Sequence, residues 1–284
     1  MPSHRPASRP ALPAAVSTLV AALVHGEPVD ATVVAAHRYA LYLSARGKVV
    51  PVVTADAVAL PTAVRVAVES GSVPWGVTAG DVVRVGGGRL TLPALDVLAA
   101  RTWRPARVRR VAAGAGRTGG HRVDDLSDQL ETNSRGSDGD WLARGIRTAC
   151  GADATVAEIV DGIVGRGPGL TPSGDDALAG ALLVTHALGT GTALADAVRA
   201  RLGATTAVSA ALLDAAADGY AARPVVTLVD AAVAGDTAAV TRALPSVLAI
   251  GHTSGADTVT GIRAALHSLT PSSALEHTTG GRAA

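Results

Sequence analysis

Two short stretches of this chain crowd hydroxyls, carboxylates and glycines together. The first is Gly165-Arg166-Gly167-Pro168-Gly169-Leu170-Thr171-Pro172-Ser173-Gly174-Asp175-Asp176. The second, 81 residues on from Ser173 to Ser254, is Gly251-His252-Thr253-Ser254-Gly255-Ala256-Asp257. Both carry the pattern S-G-x-D-x-x-x-G, completed by Gly180 and Gly261, and both lead into an apolar helix. The first turn of a helix leaves N–H groups unpaired and carries about half a positive charge. Serine and threonine can donate to ligand oxygens there, and glycine lets a ligand approach the backbone. Phosphate, a small carboxylate or a planar carbamoyl group suits such a place. The candidate ligand-binding residues are therefore Gly167, Gly169, Thr171, Ser173, Gly174 and Asp175 from the first stretch, and Thr253, Ser254 and Gly255 from the second. One exposed dipole interaction contributes only ~0.3–1 kcal/mol. Millimolar binding needs about 4 kcal/mol, so donors from several turns must converge. The repeated pattern is expected to reflect either an internal duplication or two turns meeting at one ligand.

The aspartates add a second chemistry. A carboxylate repels an anion unless it faces away, binds a cation or accepts a hydrogen bond from a substrate NH2. Asp176 and Asp257 are the candidates for catalysis, with His252 as a further proton donor or acceptor. Mg2+ held with waters stays open as a cofactor; no metal-ligand set stands out. A third turn, Thr205-Thr206-x-x-Ser209, has the same style and adds Thr205, Thr206 and Ser209 to the ligand-binding set. Thr206 as an ordinary helix cap competes with that reading. The competing view of the whole constellation is that every turn is simply a well-capped helix. His37, His121 and His186 have no comparable company. No G-x-S-x-G, H-E-x-x-H or G-x-x-x-x-G-K-[ST] motif is present, so those hydrolase, zinc and nucleotide chemistries are set aside.

The elements that must position these residues fall into two kinds. Short Val-, Leu- and Tyr-rich runs with Gly, Pro and Asp between them fill the first third. Leu41–Ala45 and Val49–Thr54 around Arg46-Gly47-Lys48 predict a hairpin, and Asp81–Val85 and Arg89–Leu92 around Gly86-Gly87-Gly88 predict another. Ala63–Val68 is a further strand. Trp75 and Trp103 are the large side chains available to anchor this part. From Trp141 the apolar period is helical, in segments 141–150, 155–164, 177–188, 192–202, 206–222, 225–234, 237–244 and 258–268. The expected fold is α+β: a β-rich small barrel or sandwich over 11–122, then an all-helical domain over 123–270. Residues 1–10 and 271–284 read as tails. Gly114–Arg122 is glycine-rich and basic, lacks G-x-G-x-x-G spacing, and reads as a linker rather than a dinucleotide loop.

The bulk composition narrows the class. The chain has 284 residues, net charge +1, 48% hydrophobic residues, no Phe and one Met, so its core must be Leu, Val, Ile and Ala. That charge carries no nucleic-acid footprint. Cys150 is the only cysteine, which rules out an intrachain disulfide, suits a reducing cytoplasm and reads as a core residue. Arg5, Arg9 and the uncharged run Ala11–Val24 loosely imitate a signal peptide, but the run is too short for a membrane span and no cleavage pattern follows. An amphipathic helix or strand is expected there, and a cytoplasmic protein without a membrane partner overall.

Gly167–Asp176, Thr205-Thr206-x-x-Ser209 and Gly251–Asp257 together resemble a bacterial family long labelled as a domain of unknown function. It includes the AllH-type subunit of oxamate carbamoyltransferase. The resemblance implies a complex with other protein subunits that acts in anaerobic allantoin degradation. It would convert oxalurate and phosphate to oxamate and carbamoyl phosphate, and the AllH-type component need not hold the chemistry. The alternative is a non-catalytic module that binds a small anion or stabilises the complex. The chain departs from the family pattern at Ala177, where an aromatic residue commonly follows the Asp pair; that alters packing under the loop more than chemistry.

Overall fold

The computed structural model describes residues 9–111, 137–151 and 156–269. The proposed boundary at 122/123, the glycine-rich stretch 114–122 and the tail 271–284 lie outside these residues. The first part is a closed eight-stranded barrel, which decides between the barrel and sandwich expected from the sequence. Its strands are β1 (Ala11–Ser17), β2 (Val29–Ala36), β3 (Ala40–Ala45), β4 (Lys48–Val53), β5 (Val64–Val66), β6 (Val82–Gly86), β7 (Arg89–Thr91) and β8 (Asp96–Trp103). The order around the barrel is β1-β5-β4-β3-β2-β6-β7-β8, and parallel pairing of β8 with β1 closes it. Closure leaves no unpaired edge. The run that imitates a signal peptide is β1 followed by the short helix α1 (Ala21–His25). Alternation of β-branched and leucine side chains fills the interior, with Val16, Leu41, Leu43, Val50, Val85 and Leu90 wholly buried.

Both predicted hairpins form. Ala45 pairs with Lys48 across Arg46 and Gly47, whose φ values are 48° and 71°. Gly86 pairs with Arg89 across Gly87 and Gly88, at 61° and 75°. Two successive positive φ angles match the right-handed twist of the strands. Arg46 pays a steric penalty that Asn tolerates better. Arg46→Asn is therefore expected to raise stability by roughly 0.5–1 kcal/mol; a urea midpoint that does not move would refute this. Trp75 is buried in the barrel and donates from Nε1 to the His37 carbonyl at 2.9 Å. Trp103 sits at the rim and donates to the Ala63 carbonyl at 3.1 Å.

The chain leaves β8 and runs onto the helical part. Val108 is buried in the helical core, its N–H bonding the Gly219 carbonyl, and the Val111 N–H bonds the Ala187 carbonyl. The helices are α2 (Ser137–Gly151), α3 (Val156–Ile163), α4 (Ser173–Leu188), α5 (Thr192–Ala200), α6 (Ala207–Ala217), α7 (Arg223–Val233), α8 (Thr237–Leu248) and α9 (Ser254–Leu269). No helix among the described residues is long and apolar enough to cross a membrane. α4 is apolar nearly all round, with Leu178, Leu182, Leu183 and Val184 buried, as befits the central helix of the bundle. α9 lies across it. Cys150 belongs to the same core, and burial pushes its thiol up to about 11, which leaves it un-ionised at neutral pH.

Two boundaries differ informatively from the periodic pattern. α4 starts at Ser173, not Ala177, because the glycine-proline loop ends at the cap residue Pro172. α6 ends at Ala217, not Ala222, because Gly219 (φ 84°) turns under the His186 ring; a Cβ there would lie 2.7 Å from the ring Cδ2. Tyr220 then pairs with Arg107.

Candidate functional site

The site starts from two pairs of helices built alike. In the first pair α3 leads through a loop into α4; in the second α8 leads into α9. The Arg166 N–H bonds the Ile163 carbonyl, and the Ile250 N–H bonds the Val247 carbonyl. The Gly174 N–H then bonds the Arg166 carbonyl at 2.8 Å, and the Gly255 N–H bonds the Ile250 carbonyl at 3.0 Å. The Asp176 and Asp257 amides bond the carbonyls of Pro172 and Thr253 in the same way. Gly167 and Gly251 both take positive φ and pack on Ser173 and Ser254. The loops differ by three residues, Gly167 to Pro172 against Gly251 to Thr253. These matched contacts fit an internal duplication, one of the two readings that the repeated sequence pattern leaves open.

The glycines of the pattern are what let the two units meet. A Cβ on Gly174 would lie 2.1 Å from the Ile163 carbonyl oxygen, and one on Gly255 would lie 2.0 Å from that of Val247. Each helix is thus pressed onto the end of its predecessor. Where α4 and α9 cross, a Cβ on Gly180 would lie 2.2 Å from the Thr258 oxygen, and one on Gly261 would lie 1.8 Å from the Ala177 oxygen. Thr258 and Ala177 occupy equivalent places in the two copies, four residues after Ser254 and Ser173. The crossing is therefore close to two-fold symmetric, and it brings the two helix N-termini together. The Thr171 and Ser254 hydroxyls lie 2.9 Å apart across the junction.

The symmetric crossing pairs Asp176 with Asp257. Oδ2 of each is buried and has no hydrogen-bond partner. The Asp176 carboxyl is bonded by the Ser254 and Thr171 hydroxyls. Helix N-termini favour the ionised form. Burial opposes this and dominates; together with the neighbouring Asp257 charge it pushes the Asp176 carboxyl up to about 7, against the lowering effect of the two hydroxyls. At neutral pH the Asp176 carboxyl is therefore about half protonated. Such a group can donate one hydrogen bond or move one proton without a histidine.

Asp175, the other carboxylate of the first turn, has a different environment. It is only 2% exposed; its Oδ1 accepts from the Gly165 N–H at 2.8 Å and its Oδ2 accepts from the Thr205 hydroxyl. Thr206 caps α6 by accepting from the Ser209 N–H at 3.0 Å, and its hydroxyl donates to the Leu170 carbonyl. These residues fasten the first loop to the start of α6. Ser173 is half-buried beside Gly167, while Gly167, Gly169, His252 and Thr253 are exposed on the two loops.

Of the expected constellation, Thr171, Ser254, Asp176 and Asp257 come together at one point. Asp175, Thr205, Thr206 and Ser209 surround the loop behind it. Sequence reasoning missed Gly165 as the donor that clasps Asp175, and the crossing role of Gly180 and Gly261; the eighth position of the repeated pattern was the available signal. A divalent cation would find two carboxylates here, and among the described residues no group of three or more His, Cys, Asp or Glu side chains is arranged to hold a metal ion.

Residues 163–266 match the family model described as oxamate carbamoyltransferase subunit AllH. The match spans both loops and the α4–α9 crossing, and bears out the resemblance carried by the sequence motifs. No solved structure matches the chain.

Proposed function

We propose that this chain, whose helical domain is of the AllH type, works as a subunit of a carbamoyltransferase-like complex and binds a carbamoyl compound or small carboxylate where α4 and α9 meet. The observation that carries this reading is the Asp176–Asp257 pair, with a buried, unpartnered Oδ2 on each side chain, inside the segment the family match covers. A carbamoyl group presents one carbonyl acceptor and one NH2 donor. A protonated Asp176 presents the complementary donor, and a carboxyl oxygen of Asp257 the complementary acceptor. Ser254 and Thr171 hold the Asp176 carboxyl and orient a ligand oxygen, and the exposed glycines Gly167, Gly169 and Gly251 leave backbone open to the ligand. Asp176 and Asp257 are the proton-handling pair, and His252, exposed on the second loop, is the candidate for exchanging that proton with solvent. Asp175, Thr205, Thr206 and Ser209 fix the loop. Other protein subunits complete the active assembly. The oxalurate–oxamate reaction, a place in allantoin degradation and a cytoplasmic setting are parts of this proposal that rest on the family resemblance.

The second reading is a non-catalytic module that binds a small anion, favoured by the exposed donors of the two loops at helix N-termini. Reconstitution separates the two. The chain is combined with candidate partner subunits, and carbamoyl transfer is measured for wild type, Asp257→Asn and Ser254→Ala. On the catalytic reading, Asp257→Asn loses at least about 10²-fold in kcat, the scale of a general acid–base contribution, and Ser254→Ala loses less. Full activity in both variants would defeat the site assignment. Ligand binding by calorimetry with no turnover in any combination would establish the module.

A further inference from the structure

A polar cavity of about 220 Å3 lies away from the α4–α9 junction. It is enclosed by the last turn of α4, the first turn of α5 and the segment that follows β8. Arg107 and Arg110 reach it from that segment, His186 from α4 and Arg199 from α5. Arg199 is already committed, bonding Asp214 at 3.1 Å and Asp218 at 2.8 Å. Arg107 is held in place without a carboxylate: its Nε donates to the Asp218 carbonyl at 2.8 Å, and its guanidinium lies 5.1 Å from the Tyr220 ring centre. Arg110 is exposed, and neither Arg107 nor Arg110 has an acidic side-chain partner among the described residues. Asp196 and Asp218 also line the cavity, and Asp218 is tied to Arg199.

His186 records the cationic character of this place. Its Nδ1 lies 3.0 Å from the Ala217 carbonyl, so Nδ1 carries the proton and donates. Nε2, 3.5 Å from the Arg107 guanidinium, is then left as an acceptor. Burial, and after it the charges of Arg107 and Arg110, hold the imidazole below its ordinary range. Gly191, which precedes α5, has no side chain to cap the helix, and Gly191 and Thr192 at the start of α5 line the cavity.

We propose that this cavity is a binding site for a small phosphate-class anion. Its charge sits between Arg107 and Arg110, and its remaining oxygens meet the first-turn N–H groups of α5. Arg107 and Arg110 belong to the segment that joins the barrel to the helices, so the bound anion fastens that segment to α4 and α5. The site does not involve Asp176 or Asp257 and is independent of the carbamoyltransferase reading.

The test is calorimetric titration of the full chain with inorganic phosphate at low ionic strength, alongside its melting temperature. Phosphate is expected to bind and to raise the melting temperature by mass action. Arg110→Gln weakens binding at least tenfold, whereas Arg144→Gln on α2, which removes the same charge elsewhere, leaves it unchanged. Asp176→Asn also leaves it unchanged, which keeps this site distinguishable from the other. No heat of binding, equal binding by Arg110→Gln, or the same thermal shift with chloride at matched ionic strength would each overturn the proposal. Acetate distinguishes the ligand class: binding as tight as phosphate would overturn the phosphate assignment.

Discussion

Asp176→Asn is expected to make the chain more stable at pH 8 while it abolishes carbamoyl transfer by the assembled complex. The direction follows from the carboxyl being held up at about 7, against an ordinary value of 3.8. In the unfolded chain the group ionises near its ordinary value; in the folded chain it keeps its proton until about neutral pH. Between these limits the folded state binds more protons, so stability falls as pH rises through the window from about 4 to about 7 and stays low above it. Each unit of difference is about 1.4 kcal/mol, which puts the total cost at pH 8 on the order of 4 kcal/mol. Asparagine carries no charge to desolvate, and its NH2 can donate to Asp257. The variant should therefore have a flatter stability profile between pH 4 and 7 and a higher midpoint at pH 8. Chemical denaturation of both proteins from pH 4 to 8 measures this. Parallel profiles would mean that Asp176 ionises normally and that the pair does not store a proton. A structural role alone predicts no loss of activity in a variant that is more stable, so stability and turnover moving in opposite directions is the informative outcome.

How much of this was legible in the sequence depended on distance along the chain. The hairpins at Arg46-Gly47 and Gly87-Gly88 were readable because two adjacent residues determine them. β8 was not, because its pattern is interrupted: its register with β1 shifts between Ala14 and Ala15, and its last residues face solvent. Its partner is also far away, and parallel pairing leaves no turn to mark it. Residues 237–248 run on as helix through Pro245, which local propensity would end at Leu244. Packing of Val247 into the core overrides that preference. In the site, the repeated S-G-x-D pattern announced two equivalent turns, but only the fold brings Thr171 to Ser254. The sequence could not tell ligand-facing polar residues from those that hold the loop. Asp175 and Asp176 are neighbours, yet the 100° step of the helix sends one to Gly165 and Thr205 and the other to Ser254. His186 looked isolated for the same reason: Arg107 is 79 residues away in sequence and 3.5 Å away in space.

The α4–α9 crossing makes the second large prediction, because the whole pair depends on how closely two backbones approach. Gly261→Ala places a methyl group where the Ala177 carbonyl oxygen stands, 1.8 Å away. No rotamer relieves a Cβ against backbone, so α9 must move outward. Forcing a methyl into a packed interior costs roughly 1–3 kcal/mol and occasionally more, and here the obstacle is a helix rather than a side chain, so the upper end is expected. The displaced helix carries Asp257 and Ser254 with it. The Asp176 carboxyl then loses its charged neighbour and one of its hydroxyl partners, and the pH profile of stability shifts along with the midpoint. Gly162→Ala on α3 is the control. A Cβ there meets nothing within 4 Å, so the exchange removes only the helix penalty of glycine and should add roughly 0.5–1 kcal/mol. The two glycines are thus expected to respond with opposite signs to the same substitution. If Gly261→Ala fails to fold, Gly180→Ala on the symmetric contact, 2.2 Å from the Thr258 oxygen, tests the same crossing with a smaller insult. Stability unchanged in both variants would mean that the helices do not cross at backbone contact, and the two aspartates would then have no structural reason to share one site.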